Sequence, residues 1–204
     1  MTKKLLENNK VEITTVTQVD RYEGFSEYSQ IECEMIVEDI ISQNKIWTMK
    51  HSRRGYDVLD TKENWEPEGS SVEKDIESFQ QYLDNTYGEG EYKAYALGVY
   101  DHSMISFSFN TGEDNRCKWD SGTCGFIGLS KYIIDYFTKD NRSINQYANM
   151  LSDAWNGNVE KYYVIDNLTE EEVDCILSTE SCEDIIKWKK HVEETYGVKE
   201  FETK

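Results

Sequence analysis

Proline, long apolar runs and signal-peptide features are the first things that this 204-residue sequence lacks. The single proline, Pro67, and the absence of a linker-like tract leave no firm domain boundary. We therefore predict one compact domain over residues 1–204, with a frayed N-terminal end of ~10 residues. No apolar run approaches the roughly 18 residues of a membrane-spanning helix, so we expect a cytoplasmic protein that does not associate with membranes.

Motifs of common enzymes and metal sites are missing as well. The sequence contains no P-loop, G-x-G-x-x-G, H-E-x-x-H, G-x-S-x-G or EF-hand pattern. Two pairs of its five cysteines have C-x6-C spacing, which differs from the shorter spacings of zinc sites. We expect free thiols in a reducing compartment, no metal and no cofactor, and we favour a binding role over an enzymatic one.

Acidic residues are what the sequence has in excess. Forty Asp and Glu against 22 Lys and Arg give a formal net charge of -18 at pH 7. Such a field repels nucleic acid and anionic membranes and favours basic partner surfaces, so we do not expect direct binding to nucleic acid. Two interpretations stay open: the charge serves solubility alone, or it lets the protein compete with DNA or RNA for a basic groove.

The spacing of apolar residues predicts an α+β domain. The acidic stretch 60–91 contains the clearest helix, because Ser70 and Glu73 form a capping-box pattern and Gly88 occupies a C-cap position. Segment 31–41 fits a short helix or a buried strand equally well. We predict a central antiparallel sheet with a long hairpin at about 93–129, further strands at 11–19 and 159–165, and amphipathic helices at about 71–87, 143–155, 169–177 and 181–196.

The predicted hairpin carries the most distinctive residues, YDHSMI at 100–105 and WDSGTCGFI at 119–127. Here the sequence resembles a family of small phage and plasmid proteins of low-GC bacteria and their viruses. The core of that family looks like Y-x-H-S-G-I-S followed by C-P-W-D-S-G-Q-V-G-[FW]-I. The matching residues are Tyr100, His102, Ser103, Ile105, Ser106, Trp119, Asp120, Ser121, Gly122, Gly125, Phe126 and Ile127.

The resemblance covers about 50 residues and has departures. An upstream family stretch similar to G-T-M-x-x-x-H-x-R-Y is echoed at Thr48, Met49, His51, Arg54 and Tyr56. The sequence differs from the core at Met104, Lys118, Thr123 and Cys124. The resemblance implies phage or plasmid origin, and hence the cytoplasm of a bacterial host.

Charge and resemblance together predict an inhibitor of a host nucleic-acid-targeting defence system, of the anti-CRISPR or antirestriction kind. Its expected partner is a host defence protein with a basic nucleic-acid or guide-RNA groove, for which acidic side chains would substitute. The side chains expected to face this partner are Glu73, Asp75, Glu77, Asp84, Glu89 and Glu91.

The alternative prediction is a small nuclease or phosphodiesterase. Cross-strand neighbours lie about 5 Å apart, so His102 can meet Asp120 or Ser121 across the hairpin and act in general acid–base chemistry. His51 and Arg54 would add a second base and a cation for a phosphate. The same residues also fit a structural role, in which a buried His102 bonds to Asp120 while Ser121 and Gly122 form the turn that ends the hairpin.

Overall fold

The computed structural model describes residues 21–48, 63–110, 120–139 and 143–203. These ranges contain five helices and eight strands in two sheets, which confirms the α+β class. No helix within them is long and apolar enough to cross a bilayer. In chain order the elements are β1 (Tyr22–Tyr28), α1 (Gln30–Gln43), β2 (Lys45–Thr48), α2 (Val72–Tyr87), β3 (Tyr92–His102), β4 (Met104–Asn110), β5 (Ser121–Ser130), α3 (Lys131–Lys139), α4 (Asn145–Trp155), β6 (Glu160–Asp166), β7 (Glu171–Leu177), α5 (Cys182–Tyr196) and β8 (Phe201–Thr203).

The predicted hairpin forms the centre of the first sheet, which we call the hairpin sheet. Its strand order is β2-β5-β3-β4, and all neighbours are antiparallel. The segment 93–110 forms two strands, because the chain turns back at Ser103 and β4 pairs directly with β3. Strand β5 then pairs with the other side of β3, so β3 is hydrogen-bonded on both sides.

The remaining strands form a second sheet of order β7-β6-β1-β8, so the strands divide between two sheets instead of one. Strand β8 runs parallel to β1, whereas the other neighbours are antiparallel. The helix predicted at 169–177 is wrong, because these residues contain edge strand β7. The carboxylate and the carbonyl of Asp166 accept hydrogen bonds from the amides of Leu168 and Glu170, and this turn directs the chain back along β6.

The other predicted helices are confirmed, with small changes at their ends. Helix α2 begins after Ser71, whose hydroxyl accepts from the Lys74 amide, so Ser71 and not Ser70 is the N-cap. Segment 31–41 is helical within α1, and α3 is a helix that the sequence analysis missed. The predicted strand at 11–19 lies outside the described residues. The four described cysteines are free.

Both faces of the hairpin sheet are covered. Helix α2 packs on one face, where Phe79 and Leu83 meet Phe126 and the ring of Trp65. Helices α1, α3 and α4 cover the opposite face, which contains the largest core cluster. Consecutive residues of a strand point to opposite faces, so Phe126 joins α2 while Ile127 joins the other cluster. The second sheet packs against α5 mainly through Val164 and Val192.

Polar side chains of α4 protect the edge of the hairpin sheet. The amides of Ile105, Phe107 and Phe109 on β4 donate to side-chain oxygens of α4 or of the residue that follows it, at 2.8–3.2 Å. The acceptors are Asn156, Ser152 and Asn145, respectively. Unpaired amides at the edge of a sheet can pair with a strand of another chain. Here the polar side chains accept these hydrogen bonds instead, as a neighbouring strand would.

Candidate functional site

The tip of the β3–β4 hairpin is formed by residues that the sequence analysis selected. His102 ends β3, and the turn residue Ser103 has φ +67°, a left-handed conformation that is uncommon for a residue other than glycine. Such backbone costs on the order of 1–3 kcal/mol and occurs often at functional sites. The ring of Tyr100 stacks beside the imidazole, with centroids 6.1 Å apart.

The structure brings His102 and Asp120 together. The imidazole Nδ1 lies 3.6 Å from the Asp120 Oδ2, and the Asp101 amide donates to the Asp120 carbonyl at 2.8 Å. Ser121 pairs in register with Tyr100, which places Asp120 beside the end of β3. The side chain of His102 is 70% exposed and that of Asp120 is 30% exposed, so the imidazole is accessible from solvent. An imidazole and a carboxylate in this arrangement can carry general acid–base chemistry.

The structural interpretation of these residues is therefore wrong in two respects. It required a buried His102, whereas the side chain is mostly in solvent. It also required a turn at Ser121 and Gly122, whereas both residues lie within β5. Among the residues of the earlier enzyme prediction, His51 and Arg54 lie outside the described residues, so only His102, Asp120 and Ser121 have a known arrangement.

Two glycines of the family-like motif have different environments. A Cβ on Gly125 would lie 2.3 Å from the carbonyl oxygen of Trp47, so the pairing of β2 with β5 requires glycine there. A Cβ on Gly122 would meet no atom within 4 Å, and Gly122 is not among the residues with positive φ. Gly125 is explained by packing, whereas nothing in the described structure requires glycine at 122.

The second candidate site is the acidic surface around α2. Glu73, Glu77, Glu89 and Glu91 are exposed, as predicted from their positions in the sequence. Asp75 was predicted to face outward, and this is wrong: it is 5% exposed and accepts from the amides of Glu68 and Gly69 at 2.9 and 3.1 Å. Its carboxylate therefore fixes the segment before α2.

Asp84 is also used within the protein. It is half-buried and accepts from the Gln80 side chain at 3.0 Å and from the Gly90 amide at 3.2 Å. Glu63 accepts from the hydroxyls of Tyr82 and Tyr87. Burial and the Glu63 carboxylate together raise the pKa of both phenols. These carboxylates hold the ends of α2 and do not contribute to an exposed acidic surface.

Two exposed glutamates that the prediction omitted extend this surface. Glu66 and Glu68 are exposed, and the Asp75 hydrogen bonds hold this segment beside the first turn of α2. Both belong to the acidic stretch 60–91 that contains the predicted helix. The acidity of that stretch could therefore have identified them as further candidates for the acidic surface. The set that we call the α2 acidic surface has two parts: Glu66, Glu68, Glu73 and Glu77 beside the N-terminal half of the helix, and Glu89 and Glu91 beyond its C-terminal end.

The described positive charges near this set of glutamates lie mainly at the C-terminal end of α2, where Lys131 interacts electrostatically with Glu91 and lines a shallow pocket together with Lys93 and Glu89. Between residues 63 and 91 the one basic residue is Lys74. Lys45, on β2, instead lies over the rings of Tyr87 and Tyr92, at 4.7 and 5.7 Å from their centroids. Glu73 and Glu77 are one helical turn apart and so share a face, which concentrates negative charge at the N-terminal half of α2. Carboxylates there also interact favourably with the helix dipole.

Within the described ranges, no group of three or more His, Cys, Asp or Glu side chains is placed to hold a metal ion. Comparisons with protein-family models, with curated proteins and with solved structures gave no match. The resemblance of the hairpin residues to phage and plasmid proteins therefore stays a prediction. Any functional conclusion depends on the geometry of the hairpin tip and of the α2 acidic surface.

Proposed function

We propose that this protein inhibits a host nucleic-acid-targeting defence protein by occupying its basic nucleic-acid groove. The supporting observation is the N-terminal half of the α2 acidic surface, where four exposed glutamates accompany one basic residue, Lys74, in the stretch 66–77. Carboxylates presented to a basic groove would replace the phosphates that the groove normally binds. The proposal keeps the partner class and the anti-CRISPR or antirestriction role expected from the sequence.

The rigidity of α2 supports this role. Phe79 and Leu83 have no exposed surface and anchor the helix to the hairpin sheet. The Gln80 side chain donates to the Tyr92 carbonyl at 2.9 Å and accepts from the Ala94 amide at 2.8 Å, as a neighbouring strand would. Because the surface is fixed before binding, less conformational entropy is lost when a partner binds it.

Charge complementarity of this kind has a specific signature in binding experiments. Association of an acidic surface with a basic groove is accelerated by long-range attraction and weakened by salt. The inhibitor should therefore compete with nucleic acid for its partner, and added polyanions should displace it. Binding that is equally strong at low and high salt would contradict the proposal.

The test is affinity capture from host lysate with a charge-neutralised variant. Wild type is compared with a quadruple variant carrying Glu66→Gln, Glu68→Gln, Glu73→Gln and Glu77→Gln. The matched control carries the same loss of charge elsewhere, as Glu171→Gln, Glu193→Gln, Glu200→Gln and Glu202→Gln, all at exposed positions. Captured proteins are identified by mass spectrometry, and affinity is then measured with the purified partner.

We expect wild type and the control to capture one nucleic-acid-binding protein that heparin and high salt release. The α2 variant should bind this partner at least about tenfold more weakly, a loss of about 1.4 kcal/mol. If both quadruple variants bind the partner equally more weakly than wild type, the loss of affinity is due to net charge and not to the α2 acidic surface. Equal binding by all three proteins would rule out the α2 acidic surface as the inhibitory site.

The exposed His102–Asp120 pair supports a second proposal, a small nuclease or phosphodiesterase. The chain provides a matched control, because His191 Nε2 on α5 lies 3.7 Å from Asp174 Oδ2 on β7 in a similarly exposed pair. RNA, DNA and cyclic nucleotides are screened for turnover by wild type, His102→Gln and His191→Gln. Loss of turnover in His102→Gln alone, with an unchanged melting temperature, supports catalysis; absence of turnover in all three contradicts it.

A further inference from the structure

A groove of about 600 Å³ opens on the side of the hairpin sheet opposite α2. It lies between the C-terminal part of α1, helices α3 and α4, and the turn that connects β7 with α5. Its described lining comprises Asp39, Gln43, Tyr132, Ile133, Tyr136, Phe137, Gln146, Tyr147, Asn149, Met150, Asp153 and residues 178–182. None of the glutamates of the α2 acidic surface lines it, so it is a separate site.

Two exposed tyrosines form one wall of this groove. Tyr132 and Tyr136 are 72% and 47% exposed, and their i, i+4 spacing places both rings on one face of α3. Beneath them, the ring of the buried Phe137 lies 5.2 Å from both Tyr136 and Tyr147. The core therefore supports this wall from beneath. The two tyrosine rings themselves are largely exposed to solvent.

The charged groups of the groove have one sign. Asp39, Asp153 and Glu180 line it, and no described lining residue is basic. Partial burial raises the pKa of Asp153. A carboxylate that is partly removed from water is stabilised when a cation binds beside it.

We propose that this tyrosine groove binds a basic segment of a partner protein. Arginine or lysine stems would lie against the rings of Tyr132 and Tyr136, and the cationic ends would contact the carboxylates of Asp153 and its neighbours. The complementary charge selects this occupant over a second copy of the chain, because two copies that each carry -18 repel one another. The proposal does not rest on the proposed function, since it concerns the opposite side of the sheet.

The experiment measures the affinity of a fluorescent eight-residue peptide of alternating glycine and arginine by anisotropy in physiological salt. Wild type is compared with the groove double variant Tyr132→Ala, Tyr136→Ala and with Asp153→Asn. The control double variant carries Tyr28→Ala and Asp135→Asn, which change an exposed tyrosine and an exposed α3 carboxylate outside the groove lining. The quadruple glutamine variant of the α2 acidic surface is included as a second control.

We expect the groove double variant to weaken peptide binding about tenfold and Asp153→Asn about threefold to fivefold, with both controls within about twofold of wild type. Equal weakening by groove and control variants would overturn the proposal, because the peptide would then bind net charge alone. Binding of spermidine but not of the peptide would replace the protein partner with a small polyamine. A dimer that the groove double variant dissociates would make a second copy the occupant.

These outcomes are separable from those of the lysate capture. Loss of host-protein capture by the α2 variant, with peptide affinity unchanged, would leave both proposals standing. Failure of the peptide to bind wild type would remove the groove proposal and would leave the α2 acidic surface untouched.

Discussion

Helices α2 and α5 have similar local sequence signals but different surfaces. Each begins after a serine N-cap and ends at a glycine, and each packs an apolar face on a sheet. Helix α2 buries Phe79 and Leu83 completely, whereas Val192 is the one buried residue within α5. On α5, Lys187 pairs with Glu183 and Lys190 with Glu194, while α2 carries a single lysine.

The difference shows that capping and amphipathicity determine where a helix forms but not what its outer face does. The carboxylates of α5 are partly neutralised by lysines one turn away, so little field extends from them. In the stretch 66–77, four exposed glutamates accompany one lysine, Lys74, and α2 is firmly packed on the hairpin sheet. Because of this contrast we propose partner binding for the surface of α2 and not for that of α5. Four predictions test it, in order of decreasing effect.

The largest effect is expected from the buried anchors of the two helices. Phe79→Ala should lower the free energy of unfolding by about 3–5 kcal/mol, since it removes a fully buried aromatic ring and leaves a cavity. Val192→Ala removes fewer buried atoms and should cost about 2 kcal/mol. Urea denaturation followed by circular dichroism measures both values. Equal costs would show that α5 is packed as firmly as α2.

The next effect concerns the polar contacts that orient each helix. Gln80→Leu leaves the Ala94 amide and the Tyr92 carbonyl without their α2 partner and should cost about 1–3 kcal/mol. On α5, Trp188→Phe removes the Nε1 hydrogen bond to Asp174 and should cost about 1 kcal/mol. Hydrogen exchange at Ala94 provides a local readout, and unchanged protection in Gln80→Leu would contradict the first estimate.

The helix caps should contribute similar amounts. Ser71→Ala and Ser181→Ala each remove a hydroxyl that accepts a hydrogen bond from a backbone amide of the first turn. Each change should lower the free energy of unfolding by about 1 kcal/mol. In thermal melts Ser181→Ala should show the somewhat larger loss, because the Ser181 hydroxyl also donates to the Asp184 carboxylate. A loss for one variant and none for the other would show that the helix with the unaffected cap is fixed by packing alone.

The smallest effect separates the two charge patterns. Lys187→Gln removes pairs with Glu183 and Asp184 and should destabilise α5 by about 0.5 kcal/mol at low salt. Lys74→Gln removes a positive charge close to the α2 N-terminus, where the helix dipole disfavours it, so stability should stay within about 0.5 kcal/mol. Melting temperatures in low and 1 M salt test this, because salt should remove the Lys187 effect.

The sequence predicted the regular parts of this protein well because their signals are local. The ranges of α2, α4 and α5 follow from apolar spacing together with serine, asparagine and glycine at their ends. The proximity of His102 to Asp120 was also predicted, because the sequence pattern pairs the strand that ends at His102 with the strand that follows Asp120. Residues 169–177 failed because so short a run does not distinguish a strand from a helix.

The candidate sites were harder to predict, because exposure depends on contacts between distant segments. The apolar spacing of α2 predicts that Asp75 faces solvent. In the structure its carboxylate is buried, and the amides of the segment that precedes the helix donate hydrogen bonds to it. The exposed position of His102 likewise depends on how β3 and β4 turn at Ser103. The tyrosine groove combines α1, α3, α4 and the β7–α5 turn, which no local pattern relates to one another.

By itself, the sequence determined the acidity of the chain, the positions of its best helices and the existence of a hairpin, because charge, capping and periodicity depend on neighbouring residues. Tertiary structure alone decided which carboxylates face solvent, that 171–177 pairs as an edge strand, and that two tyrosines border an acidic groove. The physical reason is that burial and strand pairing are set by contacts between segments far apart in the chain.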